Sequence, residues 1–198
     1  MFWYTTSPMQ NIFILSGPSG AGEDSIIDGL ENILPIERVI TTVTRAPRTG
    51  ESDGHPYYFI SLENFQQKIA RGEMAEYAQQ YNGNFYGVTK EELERIAKLK
   101  KIGIWKIDYK GVETAKKMFP DIIAIFITAP LEILEQRIRT RDHLTETYIT
   151  ERMEYTKEWL NHTDIYDYTV ENAQGKLNEA VEQVAAIIKK HTGAPQFR

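Results

Sequence analysis

Two kinds of apolar pattern alternate along most of this chain. Continuous runs such as Asn11-Ile-Phe-Ile-Leu-Ser16, Ile102-Gly-Ile-Trp-Lys-Ile-Asp108 and Ile122-Ile-Ala-Ile-Phe-Ile127 are short, rich in β-branched and aromatic residues, and bounded by polar or turn residues. They predict strands buried on both faces, as in a parallel sheet. Between them, apolar residues recur at helical spacing. Ser25 to Leu34 places Ile26, Ile27, Leu30, Ile33 and Leu34 on one face, and Val112 to Phe119 reads as a short helix. Pro130 precedes a helix through about Arg139, Thr147 to Leu160 gives a long amphipathic helix, Tyr168 to Val170 a short strand, and Leu177 to Lys190 a closing helix. Strands separated by helices predict an α/β fold with a mainly parallel sheet and right-handed crossovers.

Residues 41 to 98 break the rhythm. Arg45-Ala-Pro-Arg48 and a turn at Gly50-Glu-Ser-Asp-Gly54 come first, then the β-rich Tyr57-Tyr-Phe-Ile60 and a helix-like Leu62 to Arg71. A second turn, Asn82-Gly-Asn84, follows, flanked by Tyr81 and Phe85. Mixed short strands inserted between core units predict a small substrate-binding lobe.

Composition narrows the function classes. The 198 residues carry 23 Lys and Arg against 28 Asp and Glu, a formal net charge of −5, so nothing draws the whole chain toward nucleic acid. Zero Cys excludes a disulfide scaffold, a Cys zinc site and a Cys nucleophile. No apolar run approaches the roughly 20 residues of a membrane helix. The four histidines, His55, His143, His162 and His191, are scattered without ligand-like spacing. Met1 to Pro8 is aromatic (Phe2, Trp3, Tyr4) but lacks the features of a secretory signal, so a cytoplasmic protein is expected, with this stretch as a terminal arm. Trp105 and Trp159 read as packing residues.

Candidate chemistry begins at Gly17-Pro18-Ser19-Gly20-Ala21-Gly22, between the first strand and the first helix. A phosphate-binding loop has Gly-x4-Gly-Lys-Ser/Thr in that setting: glycines let backbone N–H groups curl around phosphates, the lysine meets the outer phosphates, and the hydroxyl binds magnesium. The two glycines are correctly spaced here, but the lysine position is Glu23 and the hydroxyl position Asp24, with Ser25 after them. Carboxylates in a phosphate cradle repel the ligand it should attract. Alone, the loop reads equally as a tight strand–helix turn.

Further motifs accompany it. Thr41-Thr-Val-Thr-Arg45-Ala-Pro-Arg48, Gly50-Glu51, Tyr57-Tyr-Phe59, Glu76-Tyr-Ala-Gln79 and Gly83-Asn-Phe-Tyr86-Gly87 follow in order. Ile107-Asp108 with Gly111-Val112, Ala129-Pro130, Arg137-x3-Arg141, Arg152, and Asp167-Tyr168 with Asn172 complete the set. In this order and spacing, over about residues 11 to 190, the chain resembles guanylate kinases. The resemblance implies a P-loop NTPase core (9–40, 99–136 and 153–191), a GMP-binding lobe (41–98), a helical lid (137–152) and terminal arms (1–8 and 192–198). It implies Mg-dependent transfer of the γ-phosphoryl group of ATP to GMP by a monomer or homodimer, with no nucleic-acid or membrane partner.

By matching positions, the resemblance implies that Arg45, Arg48, Tyr57 and Tyr86 hold the GMP phosphate, and that Glu76 and Thr41 read the guanine, with Asp108 also on the GMP side. It implies that Arg137, Arg141 and Arg152 serve the transferring phosphoryl group and that Asn172 approaches the adenine; a turn-forming role for Asn172 is equally economical. Val88 stands where the family usually has a hydroxyl that touches guanine.

The family's Asp-Ile-Asp is here Lys106-Ile-Asp108. Family charges of +1, 0 and −1 at positions 23, 24 and 106 therefore become −1, −1 and +1. Strand ends at the ligand edge of such a sheet lie side by side, so the pattern predicts an exchange: Lys106 supplies the missing cation to the phosphates or pairs with Glu23, and Asp24 takes over magnesium. The alternatives are a catalytically silent module that binds a nucleotide or partner, and a kinase of another nucleoside monophosphate.

Overall fold

A computed structural model describes residues 10–48, 50–80, 83–99, 101–141 and 145–192. The amino-terminal arm, Tyr81, Asn82, His143, the side chain of Arg141 and the tail from Gly193 lie outside the described residues. In chain order the elements are β1 (Ile12–Ser16), α1 (Glu23–Glu31), β2 (Ile36–Arg38), β3 (Thr41–Val43), β4 (Ser52–Asp53), β5 (Pro56–Phe59), α2 (Leu62–Ala70), β6 (Met74–Gln79) and β7 (Phe85–Thr89). Then come α3 (Lys90–Lys98), β8 (Ile102–Lys106), α4 (Tyr109–Met118), β9 (Ile123–Thr128), α5 (Leu131–Arg141), α6 (Glu146–Leu160), a 3-10 turn (Thr163–Ile165), β10 (Tyr168–Glu171) and α7 (Leu177–Thr192).

Two five-stranded sheets organise these elements. The first is parallel, in the order β10-β9-β1-β8-β2, and its central strand β1 is buried along its whole length. Continuous apolar strands suit this position because helices cover both faces. On one face Phe13, Leu15, Ile104, Ile125 and Ile127 pack with Ile26, Ile27 and Leu30 of α1 and Val181, Val184 and Ile188 of α7. On the other, Ile12, Ile14 and Trp105 pack with Leu93, Ile96, Val112 and Ala115. Trp105 is the packing residue the sequence predicts, with no exposed surface.

The second sheet, β4-β5-β3-β7-β6, mixes parallel and antiparallel pairs. Its strands lie between Thr41 and Thr89, whereas α3, placed in the same insertion by the sequence reading of 41–98, sends Leu93 and Ile96 into the core beside the first sheet. Two expectations need correction. Strand β2 was not predicted: Ile36-Glu-Arg38 is only three residues with one buried, too short and polar to stand out as a strand. Ile33 is 48% exposed, because α1 stops at Glu31 and the chain turns there, while Leu34 still joins Ile26, Ile27 and Leu30 in the core.

Candidate active site

Register sets the site. Leu15 pairs with Lys106 and Ser16 with Phe126, so the carboxyl ends of β1 and β8 stand side by side where the glycine loop leaves the sheet. The loop needs its glycines for space: a Cβ on Gly17 would lie 2.3 Å from the Ile127 carbonyl oxygen. Gly22, at φ 90°, caps α1 without a side chain, and a Cβ there would strike the Asn172 amide at 2.5 Å.

Beside this loop lies a cleft of about 290 Å³. Gly17, Ser19, Gly20, Glu23 and Asp24 of the loop and first helical turn line it with Lys106, and Thr41, Tyr57, Glu76, Tyr86, Asp108 and Arg152 are also in the lining. The cleft thus gathers the loop, the exchanged charges and most of the predicted acceptor residues.

Lys106 Nζ donates to both oxygens of Asp24 at 2.8 Å. A pair with Glu23 was one of the two roles expected for Lys106, the other being a phosphate contact; the bonded carboxylate is instead Asp24. Glu23 is half-buried beneath the loop, while Asp24, one helical step on, turns outward to β8 and β2. Arg38 of β2 reaches Asp24 Oδ1 at 3.3 Å and Glu31 at 3.0 Å, and also bonds Asp28, so it spans the acidic row of α1. Burial alone would raise the Asp24 carboxyl, but Lys106 and Arg38 hold it below its ordinary value. Burial pushes Glu23 up to about 7, with Lys106 opposing. For Lys106 burial works against charge, yet Tyr57, Asp24 and Glu23 keep the ammonium above its ordinary range. The Asp24 side chain is 63% exposed, so the pair contributes at most about 1 kcal/mol to folding. Its importance lies in placing a cation at the phosphate loop.

At the acceptor end, Arg45 forks onto Glu51 at 2.6 and 2.8 Å and donates through Nε to the Tyr86 hydroxyl at 3.2 Å. Its guanidinium lies 5.0 Å from the Tyr57 ring centre. The fork holds the Glu51 carboxyl down to about 2. Arg48 is exposed, its backbone N–H donating to Glu51 Oε2 at 2.8 Å and its carbonyl accepting from Glu51 N at 3.0 Å, and it does not line the cleft. Glu76 is buried, and burial with the nearby Asp108 pushes its carboxyl up to about 8. Asp108 caps α4, accepting from Gly111 N at 2.9 Å.

The remaining candidates support the loop. Arg152 reaches Ser19 Oγ at 2.8 Å and the Tyr148 hydroxyl. Arg137 donates to the carbonyls of Gly20 and Asn172 at 3.1 and 2.9 Å, so it grips the loop backbone and does not line the cleft. Asn172, expected at the adenine, is buried and spends its amide on the Ala21 carbonyl at 2.8 Å. Five lining residues were not among the predicted site residues: Ala78, Gln80, Ile107, Tyr155 and Trp159. Trp159 does pack, on Tyr109 and Tyr155, yet the same face walls the cleft. No sequence signal marks that dual position. Among the described residues no cluster of three or more His, Cys, Asp or Glu is arranged to hold a metal.

The family model for guanylate kinase matches residues 9–191. The chain belongs to the guanylate kinase family. A guanylate kinase from Idiomarina loihiensis is 36% identical over 173 residues, covering 85% of this chain and 82% of that protein. One from Shouchella clausii is 36% identical over 179 residues, covering 89% and 86%. The crystal structure of guanylate kinase from Anaplasma phagocytophilum superposes with a TM-score of 0.72 at 26% identity, covering 92% of this chain and 86% of that one. Membership makes the chain an enzyme of the nucleoside monophosphate kinase class and favours it over the silent binding module. No described helix is long and apolar enough to cross a membrane.

Proposed function

We propose that the chain transfers the γ-phosphoryl group of MgATP to GMP, giving ADP and GDP, with Lys106 in place of the loop lysine. The carrying observation is that Lys106 Nζ stands at the mouth of the glycine loop, held by Asp24. Phosphoryl transfer asks for positioned cations and little covalent chemistry from the protein. When triphosphate enters the loop, Lys106 leaves Asp24 for the outer phosphates, and Arg38 keeps the carboxylate neutralised.

Magnesium commonly binds through one or two carboxylates plus substrate phosphates and water. An exposed Asp24 beside the loop fits that mode, so Asp24 is the ligand this chain would offer the metal arriving with ATP. Arg152, already bonded to Ser19, lies over the loop, and Arg141 completes the lid at 137–152. Arg137 acts by fixing the loop backbone. Tyr57, Tyr86 and Arg45, joined by Arg48, take the GMP phosphate. Thr41 and the paired carboxylates of Glu76 and Asp108 read the guanine, whose N1–H and 2-amino group are donors that carboxylates accept. Residues 41–98 and the lid close over the core (9–40, 99–136 and 153–191), excluding water that would otherwise hydrolyse ATP.

The test is GMP-dependent ADP release, measured with coupling enzymes, for the parent protein and Lys106→Met and Glu23→Lys variants. Turnover that collapses in Lys106→Met supports the relocated cation. A Lys106→Met variant as active as the parent sinks it.

A further inference from the structure

Asp108 is not held by its own helix alone. Its Oδ1 accepts from Gly111 N, and its Oδ2 accepts from Gln80 Nε2 at 2.9 Å. The Tyr155 hydroxyl is a further hydrogen-bond partner of this carboxylate. Gln80 follows β6 directly, on the strand that carries Glu76, and its own backbone N–H is fixed on the Asn84 carbonyl at 2.9 Å. Its carboxamide lines the cleft, so it reaches from the lobe to a residue of the core.

The positions where a hydroxyl for the base was expected do not supply one. Val88 is fully buried in the apolar cluster with Ile96 and Trp105. The Thr89 hydroxyl accepts from Glu92 N at 3.1 Å as the cap of α3. At this end of the cleft, then, Gln80 adds a neutral carboxamide beside two carboxylates.

We infer that Gln80 is a positioning residue that sets selectivity for the acceptor base by fixing the direction of the Asp108 carboxylate. The inference rests on the kinase reading above. A carboxylate held by one N–H on each oxygen keeps its plane and its remaining lone pairs aimed one way. Without Gln80, Asp108 still caps α4 through Oδ1 and keeps Tyr155 as a partner, but it loses the Gln80 N–H on Oδ2 that sets the plane of the carboxylate. The base group that depends on a correctly aimed second acceptor is the 2-amino group of guanine. Inosine monophosphate keeps O6 and N1–H and lacks only that amine, so it isolates the effect.

The experiment compares GMP and inosine monophosphate as acceptors at saturating MgATP, for the parent, Gln80→Leu and Gln80→Glu. Gln80→Leu removes the donor at nearly constant size; Gln80→Glu keeps the shape and polarity but faces Asp108 with an acceptor. The expected result is a KM for GMP raised about tenfold in Gln80→Leu, as for loss of a hydrogen bond to a charged group, with kcat within about twofold. The preference for GMP over inosine monophosphate then falls by about the same tenfold, and Gln80→Glu loses at least as much. An unchanged preference in either variant, or an equal loss for both acceptors, overturns the inference, because a merely structural role lowers both together. If the parent shows no GMP-dependent turnover, the kinase reading fails on its own. Calorimetric binding of the two nucleotides to the same three proteins then decides the role of Gln80 by the same ratio.

Discussion

Lys106 and Asp24, which line the cleft, and Arg45 and Glu51, set against its lining residues Tyr57 and Tyr86, each hold a cation against a carboxylate, but they do so differently. At the acceptor end Arg45 and Glu51 are 11% and 17% exposed, and the fork engages four of the five guanidinium N–H groups with Glu51, Tyr86 and the Ala46 carbonyl. At the donor end Lys106 and Asp24 are 34% and 63% exposed, and the ammonium is a point charge on a flexible stem. The first pair is a fixed piece of architecture that holds the Tyr86 hydroxyl, the group proposed above to meet the GMP phosphate. The second is wet enough to exchange partners at little cost. The contrast teaches that a cation can be stored beside a reaction centre either rigidly, for binding, or loosely, for use during transfer.

The comparison can be broken at its loose end first. Lys106→Met should lower kcat by about 10²–10³-fold, the scale of removing one preorganised charge-stabilising donor, while GMP affinity measured by calorimetry stays within about twofold. A variant that instead loses GMP binding would place Lys106 on the acceptor side. Arg45→Met should act the other way round. Loss of hydrogen bonds to a charged group is worth about 1.5–3 kcal/mol, so the KM for GMP should rise about 10–100-fold with a smaller change in the KM for ATP.

Proton linkage sharpens the acceptor end. The Glu76 carboxyl, at about 8 in the folded cleft, is mostly protonated at pH 7 and, in the guanine-reading role proposed above, must ionise to accept from the guanine N1–H. The KM for GMP should therefore fall as pH rises from 6 to 8, by at most about tenfold per unit, and Glu76→Gln should flatten the profile. Stability runs in the opposite direction. A carboxyl whose folded pKa lies above its unfolded value favours the fold at low pH and loses that contribution as pH rises through the folded value. Melting temperature should thus decline from pH 5 to pH 8.5, with Glu23, at about 7, contributing in the same window. Glu76→Gln should show a shallower decline.

The smallest effect concerns the support beneath the loop. Asn172→Ala removes the bond to the Ala21 carbonyl and leaves that carbonyl without its buried partner, which should cost about 1–3 kcal/mol in chemical denaturation. An adenine-contacting role alone would leave stability unchanged and raise the KM for ATP.

Much of this was legible in the sequence because it depends on local pattern. The buried strands β1, β8 and β9 and the loop after β1 announce themselves by apolar runs and glycine spacing, and the exchange of charge between positions 23, 24 and 106 follows from strand adjacency. What was not legible depends on direction. Whether Lys106 meets Glu23 or Asp24 is decided by 100° of rotation in the first turn of α1, which no spacing rule resolves across two elements. Arg137 and Asn172 carry the residue types of nucleotide contacts, yet here they bond the loop carbonyls of Gly20 and Ala21, a partner choice that no motif spells out. Gln80 has no motif; its importance comes from Asp108, 28 positions away.

The bond between Lys106 and Asp24 also constrains how such a sequence can change. Replacing Lys106 by Asp alone would set a third carboxylate against Glu23 and Asp24; replacing Asp24 by Ser alone would strip the lysine of its resting partner. Changing Glu23 to Lys alone would crowd two ammonium groups at one loop. Each single step leaves a like-charge contact or an unpartnered lysine at the loop, so the three positions are coupled and the effects of changing them will not add.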